Sequence, residues 1–558
     1  MRTTQLASLI FLVLLETFAA SSVGLAQNSA SLPVAAPAAS TALPRVEQKN
    51  GHFALIVDGK PFLMLGVQAN NSSAWPQYLG RVWPAAEALH ANTVELPIYW
   101  EQFEPRPNEY DYSLVDQILT ESREHHLRLV LVWFGTWKNA SSHYTPEWMK
   151  TDQKKYPFVL DKNGQTVDSP SVYSPARLEA DKNAFRALMS HLKTKDPQHT
   201  VLLVQVENEA GVWGSVRDFG PEANQAITGE VPAGIVKKLG KKPGTWHEVF
   251  GEDADEYFQG WCTASYIEQV AAAGKAVYPL PLYVNAALRD PFQPGKPPSY
   301  ESGSPTDNEI DLWKAAAPSI DIIAPDIYLP EYSKYTRVMD LYGRADNPLL
   351  IPETGNSADY ARYIYAAVGH GAIGWAPFGL DYTRYSNHLE GPEAMEPEAL
   401  KPFSRQIGLL APISDLLAKA NLDGRLRGSS EDPDHHAATL AFEHWKVQLE
   451  YGMPPFGMGM EPKGNHPADG GALVVQLTPD EFLLAGHHVR VDFAPQVIAD
   501  NPAFVTGKKR FWLTVEEGSY DAAGKWKIVR LWNGDQTDYG INLKADEDVL
   551  LKVRLTTY

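Results

Sequence analysis

The sequence predicts a (β/α)8 barrel followed by a smaller antiparallel β domain. Three observations lead there. Between about residues 45 and 425 eight apolar runs alternate with helical patterns, the number of strands that closes a barrel. The fourth and seventh runs stop abruptly on carboxylates, Glu209 and Glu353, at the strand ends where such barrels keep their chemistry. Beyond about residue 425 short strands follow one another, broken by Gly, Asp and Asn, with no helical pattern between them.

In chain order, Arg2, an apolar stretch from Leu6 to Leu15 and small residues ending in Gly24-Leu25-Ala26 have the layout of a secretory signal over residues 1–26. Its apolar core is too short to span a bilayer, so no stable membrane insertion is expected after cleavage. Export follows, to the periplasm or beyond the cell. Residues 27–44, rich in Ala, Pro and Ser, read as a flexible leader. The barrel is expected over 45–425, with strands at 62–66, 93–98, 129–133, 201–206, 282–284, 320–327, 349–351 and 372–375. Continuous β-branched runs are the mark of strands covered on both faces. Phe185, Leu188, Met189 and Leu192 form one apolar helical stripe, and 113–125, 255–273 and 358–368 are similar in kind. After the fourth strand an insertion over 211–252, holding Trp213, Arg217, Asp218 and Trp246, is expected to wall the cleft. A closing helical segment over 402–420 leads to a sandwich-like domain over 426–558, with strands at 437–442, 472–477, 482–485, 489–493, 511–515, 527–531 and 549–555. Trp445, Trp526 and Trp532 are read there as core or domain-interface residues rather than sugar platforms.

Composition narrows the partners. A formal charge of -19 argues against nucleic acid or an anionic membrane surface, and a neutral substrate fits. Cys262 is the only cysteine, so there is no disulfide framework and no thiolate metal site. His125-His126, His435-His436 and His487-His488 point apart in a helix or strand, without carboxylates at ligand spacing; no metal or cofactor is expected.

Two carboxylates at strand ends four and seven are the minimum equipment for cutting a glycosidic bond. One protonates the leaving oxygen and the other meets the positive charge developing at the anomeric carbon. At a separation of about 5 to 5.5 Å the second attacks directly and configuration is retained. Asn208, beside Glu209, is expected to bond a sugar hydroxyl next to the reacting carbon, which makes Glu209 the acid/base and Glu353 the nucleophile. Tyr328, after the sixth strand, is expected to donate to Glu353. Glu207 reads as sitting lower in the barrel, bonded to neighbours such as Gln205. Aromatic residues at the remaining strand ends, Tyr99-Trp100, Trp133-Phe134, Trp137, Trp375 and Phe378, suggest a platform for a sugar ring, with Trp375 as its floor.

Segments carrying these residues, 205–209 and Ile351-Pro352-Glu353, resemble a clan A retaining glycosidase. With Trp100-Glu101-Gln102-Phe103-Glu104-Pro105 leading to Tyr110-Asp111-Tyr112, the chain is similar to glycoside hydrolase family 35, the β-galactosidases. Tyr283-Val284-Asn285, 323–328 and 470–482 resemble the bacterial branch whose carboxyl-terminal β domain has no assigned role. The resemblance runs from about residue 45 to the end. It implies a retaining exo-β-galactosidase releasing terminal β-D-galactosyl residues from oligosaccharides, in this branch from plant xyloglucan side chains, with Asn139, Trp137 and Asn285 joining Asn208, Tyr328 and Trp375 at the sugar. The chain departs from the family pattern at 97–100 and at Gly135-Thr136-Trp137-Lys138-Asn139, where Asn139 stands in the place of a glutamate that contacts galactose. A β-glucosidase, an endo-acting relative, or a carbohydrate-binding protein without turnover are the other readings; the presence of both carboxylates counts against the last.

Overall fold

The computed structural model describes residues 42–385, 395–454, 456–457, 459–498, 501–521 and 523–558; the expected signal and nearly all of the leader lie outside them. The parallel strands Met64–Gln68, Thr93–Tyr99, Arg128–Lys138, Val201–Asn208, Leu282–Ala287 and Ile322–Ile327 pair in that order. The seventh strand is in two pieces, Leu350–Ile351 and Glu353–Thr354. Pro352 between them has no N–H to give the ladder. The first piece pairs with Gly374–Trp375, which returns to Met64–Gln68, and the second pairs with Ile322–Ile327, so the ring closes. Each of the eight expected runs is a barrel strand.

The first strand starts two residues later than expected because Lys60–Phe62 belongs to another sheet, antiparallel, with Arg45–Lys49 and His52–Val57. Its two turns are Asn50-Gly51 (φ 52° and 84°) and Asp58-Gly59 (φ 51° and 78°), pairs that take positive φ readily and so match the twist of a hairpin. Leu55 and Val57 from this sheet join Met64, Val130, Leu203, Tyr283, Ile322 and Leu350 in one apolar cluster that fills the lower barrel.

Around the barrel, Pro175–Lys195 starts with Ser174 accepting from the Arg177 N–H and buries Phe185, Leu188, Met189 and Leu192. It packs on Ala254–Lys275 at Gly274, where a Cβ would lie 2.4 Å from the Phe185 ring. The insertion folds as three short helices, Pro221–Ala226, Ala233–Lys238 and Trp246–Phe250.

Beyond Pro397–Leu410 and Ser414–Leu422 the chain forms two antiparallel sheets. One runs in the order Leu426–Ser430, Gly471–Thr478, Glu481–His487, Val549–Thr557, Arg510–Tyr520, Trp526–Leu531; the other joins Ala437–Ala441, Trp445–Glu450, Val489–Pro495 and Ile541–Leu543. Leu426–Ser430, Trp445–Glu450 and Ile541–Leu543 were not among the expected strands. Trp445 and Trp532 are buried in the cluster between the sheets, and Trp526 is partly buried against the other cluster.

Barrel and sandwich belong to one compact unit. Leu473, Val475, Leu483, Ala485 and Leu550 turn outward from the sandwich into the same apolar cluster as the barrel helices. The contact is close at Gly428, where a Cβ would lie 2.6 Å from the Tyr365 carbonyl oxygen and 2.5 Å from Leu473 Cδ2. Gly428→Ala is therefore expected to destabilise the folded chain by roughly 1–3 kcal/mol, the usual range for an overpacked contact. Gly80→Ala, at a position open to solvent, leaves the thermal melting midpoint where it was. A Gly428→Ala midpoint equal to wild type would show that the interface yields freely.

Candidate active site

Glu209 and Glu353 reach one cleft of about 690 Å³ at the carboxyl ends of the strands. The fourth strand ends in unusual backbone: Glu207 has φ 65° and Glu209 φ 45°, the left-handed region that side chains other than glycine rarely occupy. Hydrogen bonds hold it there. The Glu209 N–H donates to Asn285 Oδ1 at 2.9 Å, and its carbonyl accepts from the Ala140 N–H at 3.0 Å. Asn285 in turn donates through Nδ2 to Asp326 Oδ2 at 2.7 Å.

Glu353 receives three donors. Gln68 Nε2 at 3.0 Å and Asn208 Nδ2 at 3.3 Å point at Oε1, and the Tyr328 hydroxyl donates to Oε2 at 2.8 Å. Both oxygens are thus oriented from different strands. Asn208 is fully buried, its side-chain Oδ1 accepting from Lys138 Nζ at 2.8 Å while Nδ2 donates to the Glu353 carboxylate.

Burial drives the electrostatics. It pushes the Glu209 carboxyl up to about 7; Lys138 opposes the rise and the charge of Glu353 adds to it. Asp326, in register with Glu353 on the neighbouring strand, is pushed well above the carboxylate range by burial, then by Glu353 and Glu209. Lys138 is the cation of the cleft among the described lining residues, nearly buried and also donating to Asn139 Oδ1. Its loop is set by Asn139 and Ala140, both at positive φ.

Glu207 supports this loop from below. Its Oε2 accepts from the Trp137 N–H at 2.7 Å, and its carboxyl faces that of Asp181. Burial raises both acids, Glu207 the more because the neighbouring Asp181 adds to the rise, whereas Asp181 is brought back by its hydrogen bonds with Glu207, Thr136 Oγ1 at 2.6 Å and Trp133 Nε1 at 2.9 Å. Gln205 bonds the Glu207 carbonyl at 2.9 Å.

Of the residues singled out from sequence, Glu209, Glu353, Tyr328 and Asn139 line the cleft, and Asn208 and Asn285 lie beneath it bonded to the two glutamates. Trp375 and Trp137 do not reach it. Trp375 pairs in register with Leu65 and Gly374 with Met64; Met64 faces the barrel interior, so Trp375 faces the helices, stacked on Phe403 and bonded to the Tyr335 hydroxyl at 3.1 Å. Trp137 alternates with Lys138 and turns outward, edge-on to Tyr266, its Nε1 donating to the Gly211 carbonyl at 3.1 Å. Tyr99, Trp100, Trp133 and Phe134 are likewise buried core, whereas Phe378 does line the cleft.

The insertion contributes one wall residue, Trp213. Arg217 is held by Asp255 at 2.6 Å, Asp218 accepts from Ser171 Oγ at 2.5 Å, and Trp246 packs among Phe250, Phe258 and Trp261. Sequence reasoning missed Gln68, Lys138, Glu301 and Asp326 as site residues. Asp326 had a signal, since it too closes an apolar strand; Lys138, ending the long third strand past its apolar run, and Glu301, in a loop, had none.

Residues 403–544 match a family described as a domain of unknown function, DUF5597. No curated protein is significantly similar in sequence. Among solved structures, the chain resembles a β-galactosidase from Bacillus circulans sp. alkalophilus at 10% identity and TM-score 0.52, over 88% of this chain and 99% of that one. It also matches a β-galactosidase from the psychrophilic Marinomonas ef1 (13% identity, TM-score 0.48, 66% of this chain) and one from Rahnella sp. R3 (16%, 0.45, 67%), of whose lengths it covers 62% and 59%, less than two thirds. The first likeness establishes the shared fold, a barrel followed by β structure.

The electrostatics make a direct prediction. The carboxyl band assigned to Glu209 by its loss in Glu209→Gln, followed by infrared difference spectroscopy, is expected to titrate near 7. In Lys138→Met it titrates higher, because the cation that favours the charged form is gone. Titration in the ordinary glutamate range, about 4.3, would show that water screens the group.

Proposed function

We propose that this protein is a retaining β-glycosidase, and within that class an exo-β-galactosidase exported from the cell and acting on oligosaccharides such as plant xyloglucan side chains. The observation that carries the reading is the asymmetry of two carboxyls in one cleft: Glu353 gripped by three donors, Glu209 buried and raised to about 7. That is the division of labour glycoside cleavage needs. Below its pKa Glu209 carries the proton that the leaving oxygen takes as the C–O bond breaks. A Glu353 oxygen attacks the anomeric carbon, forming a glycosyl ester. The ester is neutral, so the Coulombic push of Glu353 on Glu209 vanishes, and Glu209, now ionised, accepts a proton from the water that cleaves the ester.

The fold shared with the Bacillus β-galactosidase supports the barrel as scaffold. The galactose assignment rests on the resemblance of the strand-end segments to family 35. A different glycon is the second reading, favoured by Asn139, whose amide oxygen is occupied by Lys138 and which stands where the family pattern has a glutamate.

A panel of aryl β-galactoside, glucoside, mannoside and arabinoside tests this. Wild type is expected to prefer the galactoside, and Glu353→Ala to lose at least about 1000-fold in kcat, the scale for removing a nucleophile, with partial rescue by azide as the inverted α-glycosyl azide. Preference for another glycoside would overturn the sugar and leave the mechanism; an unaffected Glu353→Ala would overturn the mechanism. The kcat/KM profile is expected to fall tenfold per pH unit above about 7, as Glu209 loses its proton, and the limb to move upward in Lys138→Met. A flat profile to pH 9 (roughly two units above that value) would remove Glu209 as the acid.

A further inference from the structure

Glu301, in the loop after the fifth strand, is 6% exposed, and its Oε2 has no hydrogen-bond partner although it lines the cleft. A buried carboxyl oxygen without a donor is costly, and one aimed into a cleft is completed by a donor arriving with the ligand. Its position is built. Val212 and Ser302 form an antiparallel bridge, each N–H donating to the other's carbonyl at 2.9 and 3.0 Å. Gly211 permits it: a Cβ there would lie 2.9 Å from the Ser302 carbonyl oxygen. With Val212 opposite Ser302, Trp213 falls opposite Glu301 on the same face, and both line the cleft. Trp213 is half exposed, at 52%, and its backbone N–H donates to Ser169 Oγ at 3.2 Å.

The charges that act on Glu301 are Glu209 and Lys138. The pair Trp213–Glu301 therefore stands beside the proton donor, on the side of the cleft from which the departing oxygen leaves. An apolar ring next to an unpartnered carboxyl fits a sugar, whose ring has an apolar face and a rim of hydroxyl donors.

Resting on the glycosidase reading above, we propose that Trp213 and Glu301 form a subsite for the leaving group and that this leaving group is itself a sugar: the indole stacks on its apolar face and the Glu301 carboxyl accepts one of its hydroxyls. The physiological substrate is then a saccharide linked to a saccharide rather than a glycoside of an alkyl or aryl alcohol.

The test compares kcat/KM on a β-linked disaccharide with kcat/KM on the aryl β-glycoside of the same glycon, at a pH on the flat of the profile, for wild type, Trp213→Ala and Glu301→Gln. The ratio of disaccharide to aryl glycoside is expected to fall at least about tenfold in each variant, as when a site built around a hydroxyl loses its partner. Trp213 is at the surface, so its variant tests the proposal even if Glu301→Gln folds poorly. Equal losses on both substrates would overturn the subsite and leave the glycosidase reading intact. So would a wild type that cleaves the aryl glycoside and no β-linked disaccharide. A wild type that cleaves neither overturns both.

Discussion

The site depends on the burial of several carboxyl groups around a single amine. Glu209, Glu301 and Asp326 converge on Lys138 with Glu353 beside Glu209 and Asp326, and beneath them Glu95 and the Glu207–Asp181 pair are also removed from water. So many negative charges cannot coexist at this depth. The barrel eases the conflict by favouring their neutral forms: burial pushes Glu95, Glu207, Glu301 and Asp326 well above the ordinary carboxylate range. Burial lifts Glu209 to about 7, with Lys138 and Glu353 pulling in opposite directions. A carboxyl poised near neutrality is thus a consequence of packing.

Backbone conformation serves the same arrangement. Four residues near the mouth, Glu207, Glu209, Asn139 and Ala140, hold positive φ without being glycine. Each such residue costs of order 1–3 kcal/mol and persists only when its surroundings overdetermine it. The Glu209–Asn285–Asp326 chain and the Trp137–Glu207 bond supply that constraint, tying the third, fourth, fifth and sixth strands together at the level of the cleft. The supports lie below the Glu209 and Glu353 carboxyls, so the cleft itself stays open to a ligand.

The carboxyl-terminal region is less separate than its strand pattern implies. The segment matching the family of unknown function begins at residue 403, inside Pro397–Leu410, and so includes helices as well as the sandwich. Those helices bury Phe403, Ile407 and Leu417 in the cluster that the barrel shares with the outward face of the sandwich, and Phe403 carries the ring of Trp375. The matched region thereby extends the barrel's outer layer, next to the eighth strand.

The eight barrel strands and the two strand-end glutamates were legible in the sequence because a parallel strand, covered on both faces, must be apolar throughout, so the residue that ends the run announces itself. The base sheet was legible too: Asn50-Gly51 and Asp58-Gly59 are hairpin turns in plain view, overlooked because short polar strands such as Arg45–Lys49 lack an apolar pattern. What no local pattern contained was direction and company. Trp375 faces outward because its register with Leu65 says so, and register belongs to the pairing of two strands far apart in the chain. Lys138, Asp326 and Glu301 become one electrostatic cluster with Glu209 only after the barrel closes, since charges interact through space and local periodicity carries no record of that distance.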